Sequence, residues 1–549
     1  MSLAEIDFGL PPLTAEELPY FTDESSCRKW LAGLPLTNLS VSQKQLMQQL
    51  KLLNRYPLRA DERLKILELL RDPVNFIQEQ GSKRFAGRPL PFNNVEQAAF
   101  DAGQAFWQEQ VTGYLHCLQA TPEEAAEAAR EPHRVASVAT TRALAAMLAI
   151  YVDACQANIL TAPTFWRQLH LIFHAAEELK VTQLPVAAGL RDKKTAASAY
   201  IEVLLLAAAL PHELRPKQLS LVANWARRWS GKVTIRQQAP VDRRTPSLCV
   251  DLSSDQPAEY EHPPAKSDAL RWLELSELRR SLKKRLVRLA RGESPQSLHL
   301  GIGCDQPACE ALLKSIYQCW CKGGLKENTS KLRFARPGKA SCQLVSGFDA
   351  IHYHLTGQIS LKPDRPVYLG HHQHDEIATF GRITTHVDDG SSESSGFILE
   401  EWRIVDQSAT GLHLERPLSR PGKPLAGDQL VAVRLHDGEG FILGKLCWVA
   451  MSASRDALIA RIRLLPGRPE GITISSSGPA SSNVQSSRGL FLPDVDQLCE
   501  TASMLTPPRW FLADRIIGVE VEPGAAHQIR LDHLVERGAD FERVTFEWV

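Results

Sequence analysis

The sequence predicts a multidomain α+β protein: an all-α N-terminal domain, a mixed middle region, and a C-terminal small β-barrel with a β appendage. Three observations carry this. At 549 residues the chain is longer than one ordinary core can organise. Apolar residues recur at three- and four-residue spacing as far as about Trp229, the helical period. Beyond about Lys331 they alternate every second residue between turn signals, the strand period.

Residues 1–35 are expected to form an extended arm, because Pro11, Pro12, Pro19 and Pro35 interrupt any helix. The all-α domain, 36–229, opens with "SVSQKQLMQQLKLL", a Ser cap signal followed by Leu46, Leu50 and Leu53 on one face. Further helical stretches follow, each ending near Pro, Gly or a polar break, and they share no fixed repeat. An irregular helical array is therefore expected, not a solenoid.

After Gly231, short β-branched runs and Pro-rich loops mark a mixed middle region, 230–362. It contains a basic helix over 268–291 and a second helix, "QPACEALLKSIYQCWC". The barrel is placed at 363–476, and a Ser-rich linker with the β appendage at 477–549.

Hydrophobic residues make up 44% of the chain and charged residues 23%, with 63 Lys+Arg against 63 Asp+Glu. That is the profile of a folded soluble protein, and its zero balance argues against a general polyanion binder such as a nucleic-acid coat. The acidic, Pro-interrupted N-terminus lacks the features of a secretory signal. "AYIEVLLLAAALP", the nearest approach to a membrane span, is too short. A cytoplasmic protein with no membrane span is expected, and its 11 cysteines read as reduced thiols.

The stretch "VDQSATGLHLE" lies between alternating runs. In a bare turn, its Asp would accept from a backbone N–H two residues on, its Ser would cap, and its Gly would supply a conformation other residues resist. The strands that follow, "DQLVAVRL", "ILGKLCWVAM" and "LIARIRLLPG", form an ordered series. Corner and strands together resemble the PilZ domain, a six-stranded β-barrel that binds the bacterial second messenger cyclic di-GMP. The resemblance covers roughly residues 365–475.

This resemblance implies ligand-binding roles for Asp406, Ser408 and Gly411, the Asp/Asn-x-Ser-x-x-Gly corner. It also implies a role for Arg382, from the arginine element that precedes the corner in that family. There the sequence departs from the pattern: the family has Arg-x-x-x-Arg, whereas Ala378 and His386 stand four residues either side of Arg382. Arginines can fork onto guanine edges and phosphates, and losing one charged hydrogen bond costs about 1.5 to 3 kcal/mol. Arg333, Arg336, Arg365, Arg403 or an arginine of the basic helix are alternative donors. The helical domain also resembles that of uncharacterised multidomain proteobacterial proteins carrying such a module.

Other constellations carry less. Cys304, Cys309, Cys319 and Cys321 lack the two-residue knuckle spacing of zinc sites and read as buried thiols. His352 and His354 are expected to share one face of a strand, and His371, His372 and His374 to lie in a loop. No catalytic elbow, phosphate loop or dinucleotide fingerprint appears. The expectation is a non-enzymatic cyclic di-GMP effector, without cofactor or metal, that passes ligand state to a protein partner, for instance in a motility or surface-attachment system. The alternative is a degenerate barrel that binds protein partners without nucleotide.

Overall fold

The computed structural model describes residues 6–357 and 397–549, apart from 15, 120–131, 188–192, 241–246, 261–266, 302–303, 324–333, 336–339, 437, 439, 478–483, 496–499 and 521–525. The chain divides into two compact units. The first comprises residues 1–328 with 450–455, and the second 329–449 with 456–549.

Unit 1 begins with α1 (Glu24–Ala32), so the predicted extended arm contains a helix. Asp23 and Ser26 cap it reciprocally, an energetic gain that the upstream prolines do not oppose. Then come α2 (Leu39–Leu53), α3 (Ala60–Ser82), α4 (Asn94–His116), α5 (Pro132–Gln156), α6 (Pro163–Glu178), α7 (Ala196–Ala208) and α8 (Pro216–Trp229). Helix α5 is long and apolar enough to cross a membrane, which the sequence reading did not register. It packs against α4, α6 and α7 at the centre of the unit, and 67% of its most apolar window is buried. It serves as a core helix.

No structural boundary falls near residue 230. Strands β1 (Thr234–Arg236), β2 (Leu248–Asp251) and β3 (Leu270–Glu274) form a sheet in the order β1-β3-β2. Its residues share one hydrophobic core with the helices. Polar ties cross the expected boundary. Arg271 on β3 makes a bidentate bond to Glu177 on α6 at 2.8–2.9 Å. Trp320 Nε1 donates to the Leu205 carbonyl at 2.7 Å. His170 links the Tyr200 hydroxyl, 2.7 Å away, to the Gln256 carbonyl, 2.8 Å away.

The expected helix over 268–291 splits into β3 and α9 (Ser276–Ala290). The second helix stands as α10 (Gln306–Cys321) and packs on α9. Leu278, Leu282 and Leu289 bury the inner face of α9.

Unit 2 contains two barrels. The first uses β4 (Ser341–Ser346), β5 (Glu400–Ser408), β6 (Gly411–Pro417), β7 (Leu430–Leu435), β8 (Ile442–Met451) and β9 (Ala457–Leu464). These pair in the row β5-β4-β7-β8-β9-β6, and the β5–β6 pairing joins its ends into a ring of six. The sheet thus starts before 363: the ring opens at 341, and Phe334–Ala335 adds a short seventh strand against Gln407 and Asp406. Helix α11 (Phe348–Thr356) follows β4, so His352 and His354 lie on a helix instead of a strand. Gly347 and Gly357, both at positive φ, bracket it and interrupt the alternation there.

The last strand expected in this barrel, "GITIS", belongs to the second. There β10 (Glu470–Ser477), β11 (Val484–Leu492), β12 (Ser503–Thr506), β13 (Ile516–Glu520), β14 (Ala526–Arg537) and β15 (Glu542–Trp548) close in the order β10-β11-β12-β15-β14-β13. The expected linker and appendage therefore largely form a closed six-stranded barrel. Closure satisfies the backbone groups that an open edge would leave unpaired.

The two barrels and α11 share a core. Val345 and Leu430 of the first pack with Ile351 of α11 and with Leu490, Leu505 and Phe541 of the second. Inside the first barrel, Arg416 and Glu400 form an ion pair at 3.5 Å, each side chain no more than 2% exposed. Arg416 lies over the Trp402 ring at 5.3 Å.

Candidate functional site

The corner is a two-residue hairpin. Ser408 pairs with Gly411, leaving Ala409 and Thr410 as the turn between β5 and β6. The register shifts between Ile404 and Asp406, so Val405 is an extra residue. A bulge of this kind re-aims the side chains beyond it and sets Asp406 opposite His413.

Asp406 Oδ2 lies 3.1 Å from His413 Nδ1, a cross-strand contact absent from the expected turn chemistry. Ser408 Oγ donates to the Gly411 carbonyl at 3.3 Å. Gly411 does not adopt a left-handed conformation. Its smallness serves close approach instead, since a Cβ there would sit 2.9 Å from the Ile462 carbonyl oxygen.

Asp406 and Ser408 at the end of β5 thus lie beside Gly411 at the start of β6. Arg382 lies outside the described residues, as do Arg333, Arg336, Arg365 and the His371–His372–His374 group. Arg403 is paired with Glu415 across β5 and β6.

The sequence reading missed two other arginines. The β6–β9 register places Arg463 opposite Gly411 and Arg461 opposite His413. Alternation in "ARIRL" put both on one face of β9, but only the pairing register reveals what they face. Arg463 is held by Glu536 of the second barrel, which also binds Lys445 at 3.0 Å. Burial pushes the Glu536 carboxyl up, but the Arg463 and Lys445 hydrogen bonds outweigh it and hold its pKa below the ordinary value.

The neighbourhood also holds unsatisfied polar atoms. His413 Nε2 and Trp448 Nε1 are buried without a hydrogen-bond partner, and the His413 and Trp448 ring centroids lie 6.0 Å apart. Each such atom carries a desolvation cost that a bound partner would relieve. A carboxylate, a hydroxyl and two cationic side chains around a backbone turn can together receive a ligand that has both N–H donors and negative charge.

The remaining candidates assemble no centre. Cys304, Cys309, Cys319 and Cys321 are free thiols of unit 1, and burial pushes Cys309 up to about 12 and Cys321 to about 11. Among the described residues, no three His, Cys, Asp or Glu side chains converge as metal ligands do.

Comparison with known proteins finds two sequence families. The family described as the N-terminal domain of the cyclic-di-GMP receptor FimW matches residues 25–240. The FimW C-terminal beta-barrel domain matches residues 473–549. A curated relative, the cyclic-di-GMP receptor FimW of Pseudomonas aeruginosa (strain PAO1), is 23% identical over 528 residues, covering 87% of this chain and 83% of that protein. The hairpin corner lies between the two family matches.

Proposed function

We propose that the protein is a bacterial cyclic di-GMP receptor, a non-catalytic effector that passes its ligand state to a protein partner. The observation that carries this is the similarity to a cyclic-di-GMP receptor along nearly the whole chain, with matches to both of that receptor's domain families in the same order. The ligand site is assigned to the corner of the first barrel. Asp406 would accept from the N–H donors on a guanine edge, while Ser408 and the narrow Gly411 let the base approach the backbone. Arg382 would come from the segment before β5, and Arg461 from β9, to meet phosphate or the guanine N7/O6 edge.

The bound nucleotide can alter the protein only by its differential affinity for two arrangements. Arg382 precedes β5 in the sequence, so a ligand held by both Arg382 and the corner would link the two. A motility or surface-attachment component is the kind of partner that would read the change.

Titration calorimetry with cyclic di-GMP tests the proposal. Micromolar binding is expected for the native chain, weakened at least tenfold in Asp406→Ala and Arg382→Ala, as loss of one charged hydrogen bond of about 1.5 to 3 kcal/mol requires. An absence of heat at tens of micromolar ligand would leave the barrel as a nucleotide-free protein scaffold. Tight binding untouched by both substitutions would move the ligand to another site.

A further inference from the structure

Unit 1 holds a cavity of about 930 Å³ among α3, α4, α5, α7, α8 and the turn at 299–301. Six cationic residues line it, Arg71, Arg142, Lys193, Lys194, Arg227 and Arg228, against a single lining carboxylate, Asp72. Glu68 and Glu202 offset part of this charge. Arg142 is doubly bonded to Glu68 at 2.8 and 2.9 Å, and Lys194 is paired with Glu202. Six cations set against Asp72, Glu68 and Glu202 leave a surplus of three positive charges. Arg228 donates to the His299 carbonyl at 2.9 Å, which satisfies a donor without cancelling charge.

Neutral groups add direction. Gln110 also lines the cavity and is 3% exposed, and its Nε2 donor is buried with no partner. Trp107 gives the wall an aromatic surface, fixed by a 3.0 Å bond from its indole nitrogen to Asp153. The volume lies in the range of small-molecule sites. Like charges gathered around one concavity repel each other when empty and focus a field that attracts a multivalent anion.

We propose that this cavity binds a phosphorylated small molecule, separately from the hairpin corner. Guanidinium forks and ammonium groups suit phosphoryl oxygens, and an acceptor oxygen would relieve Gln110.

The test is calorimetry on the full chain at low salt, with pyrophosphate, ATP and GTP as separate probes and guanosine as the uncharged control. At least one phosphorylated probe is expected to bind with micromolar affinity, and guanosine is expected to give no heat. Lys193→Ala and Arg227→Ala, both at exposed positions, should each weaken binding roughly ten- to hundredfold with an unchanged circular dichroism spectrum. Asp406→Ala should leave it untouched, which separates this site from the corner. Tighter binding of nucleotides than of pyrophosphate would assign Trp107 to a base, and equal affinity would assign the cavity to phosphoryl groups alone. The proposal is overturned if no phosphorylated probe binds, or if binding survives both cavity substitutions unchanged.

Discussion

Asp153 on α5 shows how one residue ties pH to stability. It accepts from Trp107 Nε1 at 3.0 Å, and burial raises its carboxyl from 3.8 to about 7 despite that bond. A folded-state pKa above the unfolded value means that the native chain holds the proton more tightly. Stability from this group is therefore fully present below about pH 4 and declines as pH rises towards 7. The loss above pH 7 is on the order of 4 kcal/mol at most. Asn offers Trp107 the same acceptor without the charge. Asp153→Asn is thus expected to raise the thermal midpoint of unit 1 at pH 8 and leave it nearly unchanged at pH 4, which calorimetric scans at the two pH values would check.

At the scale of elements, the corner hairpin depends on the closeness of β6 to β9. A methyl group on Gly411 would press on the Ile462 carbonyl oxygen, 2.9 Å away, which is backbone and cannot rotate aside. Gly411→Ala should therefore destabilise the first barrel by about 1 to 3 kcal/mol in urea unfolding, whereas Ala409→Gly in the exposed turn should cost less than half of that. Element type was legible where burial followed the ordinary periods. Leu46, Leu50 and Leu53 bury one face of α2 as their spacing implied. It failed at β3, where the inward positions are Arg271 and Leu273. A buried arginine reads as solvent-facing until its partner Glu177, 94 residues away, is in view. The corner was legible as a polar turn, but its bulge, the His413 contact and the neighbouring Arg461 and Arg463 follow from strand register. No local pattern encodes that register.

For the whole molecule, the α+β organisation followed from the change of hydrophobic period, while the division of the chain did not. Pro- and Gly-rich joints near 230 look like a domain boundary, yet Trp320 and Arg271 bind back into the helices and make one core. The "GITIS" strand follows the first barrel closely in sequence but pairs with partners as far on as Glu520. Unit 2 is also stitched together by polar bonds, from Leu430 N to Asp540 Oδ1 at 2.8 Å and from Ala539 N to the Asp428 carbonyl at 2.7 Å. Phe541, fully buried in the core shared by both barrels, provides the test. Phe541→Ala should destabilise both rings together by about 3 to 5 kcal/mol, seen as a parallel loss of hydrogen-exchange protection in β7 and β12. Loss confined to β12 would show that the barrels unfold independently.

The shared core also bears on how the chain is made. All six strands of the first barrel have been synthesised by Leu464, but the apolar surface under Val345 and Leu430 is not covered until Leu490, Leu505 and Phe541 have followed. For the time it takes to translate about 80 further residues, at rates of roughly 5 to 20 per second, the nascent barrel carries an uncovered greasy flank. A stop codon placed just after β9 would release a chain whose first barrel is fully encoded yet prone to aggregate.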